Sequence, residues 1–480
     1  MGSRVRRTLP LAAAGTTIET LELPDDESRL RHSLAMTVVA ALAAASSAAA
    51  QQAVPLLSVD AQLGDFGLDD LDSVVHGRVS LVHDPAGDRI ALQFLKSTPA
   101  TVVAASEPTT MLTPPSVAEV QAGLKALWVW TTSELLQDMS ERRAFLDFIE
   151  SQAIERVFLY LPAAEGEQPS AGYIPFDGAA LAPLLAEIHA RGALTYALDG
   201  DPDYVHVENH VGVLRTVQRV AEYNRSHRPE ERFLGVRYDV EPYLVRGFQG
   251  PQRQEILAGY VSLLAQISEV AHPAGLAVGA DIPFWFDAGD ENTGEPFEAV
   301  LNGVRAPVLH HVMASVDDIA IMAYRTSVDG PNGVLLHSAG EIAHGRISGV
   351  GVFVGVETTH LLDEDLYTLR GVGRVGLPDL GDATWIVLED RGGDLVRVWF
   401  ASGEEALAEL EHQVQDPGSL RTWFAGQPVP LPGDMLSFHA LGPEAMNALV
   451  QRVVLQFGED PAFLGLAYHD YRGLSALLQR

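Results

Sequence analysis

The chain of 480 residues is 47% hydrophobic, which excludes a disordered polymer and leaves room for one large core with additions. Its 32 Lys and Arg stand against 64 Asp and Glu, a net charge of −32 that repels a phosphate backbone and excludes non-specific nucleic-acid binding. There is no cysteine, so disulfides, thiol nucleophiles, Cys-ligated zinc and Fe–S clusters are excluded together.

Residues 1–51 read as a leader. An Ala-rich apolar run, 34–50, follows Arg29, Arg31 and His32 and ends in Ser47-Ala48-Ala49-Ala50 before Gln51. Positive flank, short apolar stretch and small residues at a cut are the parts of a secretory signal. The run is too short and too rich in alanine for a spanning helix. The expected location is therefore secreted or periplasmic, with no integral membrane segment after processing.

Residues 54–105 form an accessory β segment. Its clearest part is a hairpin, 78–83 and 89–94, around Asp84-Pro85-Ala86-Gly87-Asp88. Residues 106–118, rich in Pro, Ser and Thr, read as a linker.

From 124 to 480 apolar strands alternate with amphipathic helices. The strands are Leu127–Trp130, Val157–Tyr160, Leu194–Leu198, Leu234–Asp239, Leu276–Ala280, Ile319–Met322, Val352–Val356 and Phe463–Ala467. Leu181, Leu184, Leu185 and Ile188 mark one intervening helix, with Gly192 past its end. Eight such units predict an α/β fold, a (β/α)8 TIM barrel, with an insertion at 361–440 between the seventh and eighth strands. The insertion carries a hairpin, 385–388 and 395–400, around Arg391-Gly392-Gly393-Asp394. A doubly wound open sheet is the competing fold, but no Gly-rich phosphate loop recommends it.

Barrel chemistry sits where strands end. Those ends carry Trp130, Tyr160, Asp199 with Asp201, Asp239 with Glu241, Asp281 with Trp285, Tyr324 with Arg325, Glu357, and His469 with Asp470. Aromatics offer platforms for sugar rings, and carboxylates supply acid–base work and hydroxyl recognition. The set points to a carbohydrate substrate, with no cofactor and no metal. One of Trp128 and Trp130 is expected to point into the barrel.

In Arg237-Tyr238-Asp239-Val240-Glu241, a period of two puts Arg237, Asp239 and Glu241 on one face. An interior carboxylate pair raises the pKa of one member, which suits Glu241 as a proton donor. Alternatively, Arg237 neutralises Asp239 within a buried ion-pair network.

This segment resembles the fourth strand of family 18 glycoside hydrolases, the chitinase group, where an Asp-x-Asp-x-Glu run carries the catalytic acid. Asp239 and Glu241 match its last two acids, and Arg237 replaces the first. Met322-Ala323-Tyr324 is similar to that family's Met-x-Tyr-Asp, with Arg325 in place of the aspartate. The resemblance implies that the substrate's N-acetyl group is the nucleophile, oriented by Asp239 and Tyr324. A second resemblance is to retaining barrel glycosidases, in which an Asn-Glu-Pro glutamate is the acid/base and a strand-seven glutamate the nucleophile. It implies Glu241-Pro242 and Glu357 in those roles, about 5–5.5 Å apart, with Arg325 keeping Glu357 ionised.

Other groups have weaker patterns. His469-Asp470 either orients a substrate hydroxyl or is a hydrogen-bonded rim pair. Asp199-Gly200-Asp201-Pro202-Asp203 opens like a calcium loop but lacks its later glycine and glutamate. His206 and His210 lack the glutamate of a zinc-protease helix and read as surface residues, and His310-His311 reads as structural. The expected function is an exported glycosidase. The alternative is a carbohydrate-binding barrel without turnover, and a metal-dependent barrel hydrolase is disfavoured because no histidines converge at the strand ends.

Overall fold

The computed structural model describes residues 56–62, 76–82, 89–95, 123–245, 248, 252–287, 297–372, 384–391, 395–414, 420–426 and 428–480. The signal-like run 34–50 and the linker 106–118 lie outside them. In chain order the strands begin with β1 Leu56–Gln62, β2 His76–Val82 and β3 Arg89–Leu95. There follow β4 Leu124–Val129, β5 Arg156–Tyr160, β6 Leu194–Asp199, β7 Gly235–Tyr238 and β8 Ala277–Pro283. Then come β9 Glu298–Leu301, β10 Val304–Pro307, β11 Asp318–Met322 and β12 Gly351–Glu357. The last are β13 Glu364–Val372, β14 Thr384–Asp390, β15 Leu395–Ser402, β16 Leu420–Gly426, β17 Val429–Leu431 and β18 Phe463–His469.

The described residues divide into two compact units. The first joins the residues before Ser97 to Leu362–Leu431. Its strands form one antiparallel sheet in the order β1-β15-β14-β16-β13-β2-β3, with β17 also on β13. The N-terminal β segment and the insertion, read separately in the sequence, thus share one sheet. The physical reason is edge pairing: β1 finds its ladder on β15, and β2 on β13, which short hairpins alone do not supply. Helix Gly403–Gln413 lays Ala406, Leu407 and Leu410 against Trp385, Val387 and Ala401.

The second unit is a closed parallel barrel in the order β11-β12-β18-β4-β5-β6-β7-β8. All eight strands expected from the sequence are present in it, and helices follow them round the outside, as in a (β/α)8 barrel. Its strands are almost wholly buried, which is why they read as continuous apolar runs. Helix Gly178–His189 buries Leu181, Leu184, Leu185 and Ile188 against the barrel and starts on Asp177, whose carboxylate accepts the Ala179 N–H at 2.9 Å. A small antiparallel hairpin, β9 and β10, is added after β8.

Large and small side chains alternate round the lumen: Ala126, Trp128, Phe158, Tyr196, Leu198, Ala320, Phe353 and Ala467 form its core. Trp128 and Trp130 both belong to the inner face, at different depths. Two residues apart on a strand, they cannot face opposite ways, so the expectation that only one points inward is corrected. Trp128 is sealed in the core, while Trp130 sits half-buried above it.

One charged group lies inside this lumen. The Arg237 guanidinium, fully buried, donates from Nε to Asp281 at 2.7 Å and from Nη1 to Asp318 at 2.6 Å. It also donates to the Ala280 carbonyl at 3.2 Å and stands 3.9 Å over the Phe158 ring. The remaining carboxylate oxygens take the Trp128 indole N–H at 2.9 Å and the Tyr196 hydroxyl at 2.6 Å. Gly279 makes the space, because a Cβ there would lie 2.5 Å from Arg237 Nη1. The sequence suggested Asp239 as the partner of Arg237; the partners in the ladder are Asp281 on β8 and Asp318 on β11.

Removing one member of such a group leaves buried charge without its counter-charge. Arg237→Met is expected to cost about 3–5 kcal/mol, read as a lowered urea midpoint. Adding Asp281→Asn and Asp318→Asn to the same chain should recover part of that loss.

Candidate active site

The site lies at the C-terminal ends of the barrel strands, and its residues come from at least five of them. From the end of β7 the chain runs through Asp239 to Glu241, which opens a short 3-10 turn, Pro242–Leu244. Both carboxylates are buried. The turn folds Tyr243 back so that its hydroxyl donates to Glu241. Gly200 keeps this segment close to β6, since a Cβ at that position would meet the Asp239 carbonyl oxygen at 2.0 Å. The Asp239 N–H donates to the Asp199 carbonyl at 2.9 Å, which ties the two strand exits together.

At the end of β12, Glu357 is buried, and both of its oxygens are engaged. One accepts the Thr359 N–H at 2.6 Å and the Thr359 hydroxyl at 2.7 Å. The other faces Nδ1 of His469 at 2.8 Å. His469 ends β18 and its Nε2 meets the Trp130 indole N–H at 3.0 Å. Tyr324, at the exit of β11, lies near-parallel to the His469 ring at a centroid distance of 5.7 Å. Burial pushes the Tyr324 phenol well up, and the negative charges of Glu357, Asp239, Asp281 and Glu241 push it further.

Burial alone would lower the His469 pKa. Glu357, through charge and hydrogen bond, together with Asp470 and Asp239, pulls it the other way, toward the imidazolium. The Trp130 N–H opposes that protonation, because an indole only donates and points at the nitrogen that would carry the second proton.

The accessible layer is aromatic. Trp130 and Tyr160 are half-buried with ring centroids 5.8 Å apart, and Tyr243 is half-buried against Trp285 at 5.3 Å. Burial, then Asp199 and Asp201, raises the Tyr160 hydroxyl to about 12, so it is a neutral donor and acceptor at physiological pH. Trp285 itself is buried and packs on Phe297 and Phe248.

Several residues expected at the site have other engagements. Asp281 is buried in the Arg237 network rather than presented to a ligand. Asp201 accepts the Asp203 N–H at 2.8 Å and caps the 3-10 turn Pro202–Val205. Asp470 accepts the Gly473 N–H at 2.9 Å and caps helix Tyr471–Leu478. Arg325 is buried, donates to the Tyr324 carbonyl at 2.7 Å and lies 4.7 Å over Phe284. The groups that hold Glu357 are instead Thr359 and His469. His210, expected at the surface, is buried, with its Nδ1 3.0 Å from Gln266. His311 is buried too, its Nε2 3.1 Å from the Ala299 carbonyl, as a structural histidine would be.

Tyr243, Thr359 and Asp318 were not singled out in the sequence. The first two share a signal, a hydroxyl two residues after a strand-end glutamate, which a tight exit turn brings back onto the carboxylate. Asp318 stands at the start of its strand, where sequence reasoning did not look for barrel chemistry.

Among the described residues no group of three or more His, Asp or Glu is placed to hold a metal ion, and no helix is long and apolar enough to cross a membrane. No protein-family model and no curated protein matches the sequence. Solved structures that resemble it include a family GH18 chitinase from Cycas revoluta in complex with allosamidin, at 11% identity and a TM-score of 0.39, covering 74% of this chain and 97% of that one. A chitinase from Chromobacterium violaceum matches at 12% identity and a TM-score of 0.33, covering 75% and 100%. The Bacillus cereus spore cortex-lytic enzyme SleL matches at 8% and 0.36, covering 74% of each. Similarity at this level says nothing about what this chain acts on.

Asp199 provides a test of the electrostatics at this end of the barrel. It is buried, and burial pushes its pKa up to about 7, against the pull of the Gly200 N–H and the Tyr204 hydroxyl. The folded state then holds a proton that the unfolded chain releases near pH 4, so stability contributed by this group is lost as pH rises from about 4 through about 7. Asp199→Asn keeps both hydrogen bonds and never ionises. It should match the parent at pH 4 and exceed it by roughly 2–4 kcal/mol at pH 8, measured by denaturant titration.

Proposed function

We propose that this protein is an exported glycosidase that cleaves a polysaccharide or glycoconjugate, with Glu241 as the general acid. The observation that carries this reading is that Asp239, Glu241 and Tyr324 are buried at the strand ends beside half-buried aromatics: Tyr243 is bonded to Glu241, and Trp130, against Tyr160, shares His469 with Tyr324. Such aromatics suit the apolar face of a sugar ring. The Tyr243 hydroxyl can donate or accept, so it stays bonded to Glu241 in either protonation state. Export is supported by the signal-like run 34–50.

The engagement of Glu357 supports one of the two nucleophiles that the resemblances imply. Thr359 and His469 take up both of its oxygens, and a carboxylate held by three donors is a poor nucleophile. The reading therefore favours the substrate's own N-acetyl group. Its carbonyl oxygen attacks the anomeric carbon while the bond to the leaving oxygen breaks, and the Glu241 proton passes to that oxygen. A water then opens the cyclic intermediate, giving its proton back to Glu241. Asp239 and Tyr324 orient the acetamido group.

A second reading, a sugar-binding barrel without turnover, is favoured by Arg325, which stands buried where the resembled family has an acid. One substitution separates the two. Glu241→Gln should lower turnover of an N-acetylglucosamine oligosaccharide by about 10²–10⁴-fold while its affinity changes little. The de-N-acetylated oligosaccharide should not be cleaved by the parent protein. If the parent binds the oligosaccharide but cleaves none of it, the binding reading holds instead.

A further inference from the structure

The half-buried His469 is held by two partners whose chemistry leaves it one protonation state. On its Nδ1 side is a carboxylate, Glu357 Oε2 at 2.8 Å, which needs a donor. On its Nε2 side is an indole N–H, Trp130 Nε1 at 3.0 Å, which needs an acceptor. Only the neutral imidazole with its hydrogen on Nδ1 satisfies both. A second proton, on Nε2, would set N–H against N–H.

We propose that Trp130 is a positioning residue whose indole N–H holds His469 neutral, so that the floor of the site keeps the net negative charge of Glu357. The groups facing the imidazole make this constraint necessary. They are Glu357 from β12, Asp239 from beyond β7, Tyr324 from beyond β11, Trp128 and Trp130 from β4 and its exit, and Asp470 on its own strand's exit. Three of these are carboxylates, and their pull is toward the imidazolium. Burial and the indole N–H resist them, and only the indole acts at one atom, Nε2.

In a glycoside cleavage, positive charge develops on the sugar ring in the transition state. A neutral His469 beside the Glu357 carboxylate leaves that charge unopposed, whereas an imidazolium opposes it. The kinetic consequence rests on the glycosidase reading; the placement of the proton does not.

The test is ¹⁵N NMR of the histidine rings in the full chain, with His469→Gln used to assign the signal. At pH 7 the parent should show Nε2 unprotonated. In Trp130→Phe, water reaches Nε2 and the imidazole should become charged, its proton affinity rising at least tenfold. Trp130→Tyr, whose hydroxyl accepts as well as donates, should give the same rise if the phenylalanine variant fails to fold. An imidazolium in the parent at pH 7, or the same titration midpoint in parent and variants, overturns the proposal. Where oligosaccharide turnover is measurable, the Trp130 variants should gain an ascending limb in kcat, losing activity below the raised His469 pKa and regaining it above. If the parent cleaves nothing while the NMR result holds, the glycosidase reading fails and the proton placement stands.

Discussion

A full positive charge inside the barrel lumen is the constraint on which much of the second unit depends. Arg237 is fully buried, so its charge has to be met by Asp281 and Asp318, and their spare oxygens by Trp128 and Tyr196. This links β4, β6, β7, β8 and β11 through polar contacts that hold only in one register. The apolar packing round Phe158 and Phe353 tolerates small shifts, but a network of this kind tolerates few. It also removes Asp281 from the set of acids free to act on a ligand.

Above this layer lie further acids, while Arg237 is paired with Asp281 and Asp318. Asp239, Glu241 and Glu357 are buried at the strand ends, and among the described residues Glu357 is held by Thr359 and His469. A hydroxyl bonds Glu241, and a hydroxyl, a backbone N–H and an imidazole hold Glu357. The barrel therefore stacks a neutralised ionic floor beneath an acid-rich layer, and an aromatic rim lies above both.

The barrel was legible because parallel strands buried on both faces leave long apolar runs, and each of the eight expected strands is found. The acid-rich strand ends were legible for the same reason, since polarity begins where burial ends. Pairings were not. An arginine in a strand interior announces that carboxylates must be near, but periodicity offers only those on its own strand, and Asp281 and Asp318 arrive from neighbours. Asp201 and Asp470 show the opposite limit: a strand-end aspartate that caps the next helix has the same sequence appearance as one that meets a ligand. The sheet shared by β1–β3 and the insertion was hidden because nothing in either stretch names its partner strand.

That shared sheet has a consequence for how the chain must be made. Strands β1, β2 and β3 are synthesised first, yet β15 and β13, which complete the ladders of β1 and β2, follow only after seven of the eight barrel strands. Until then the nascent chain carries unpaired strand edges, the kind of surface that seeds aggregation. Completion of the first unit thus waits for β13 and β15, by which time seven of the eight barrel strands have been made.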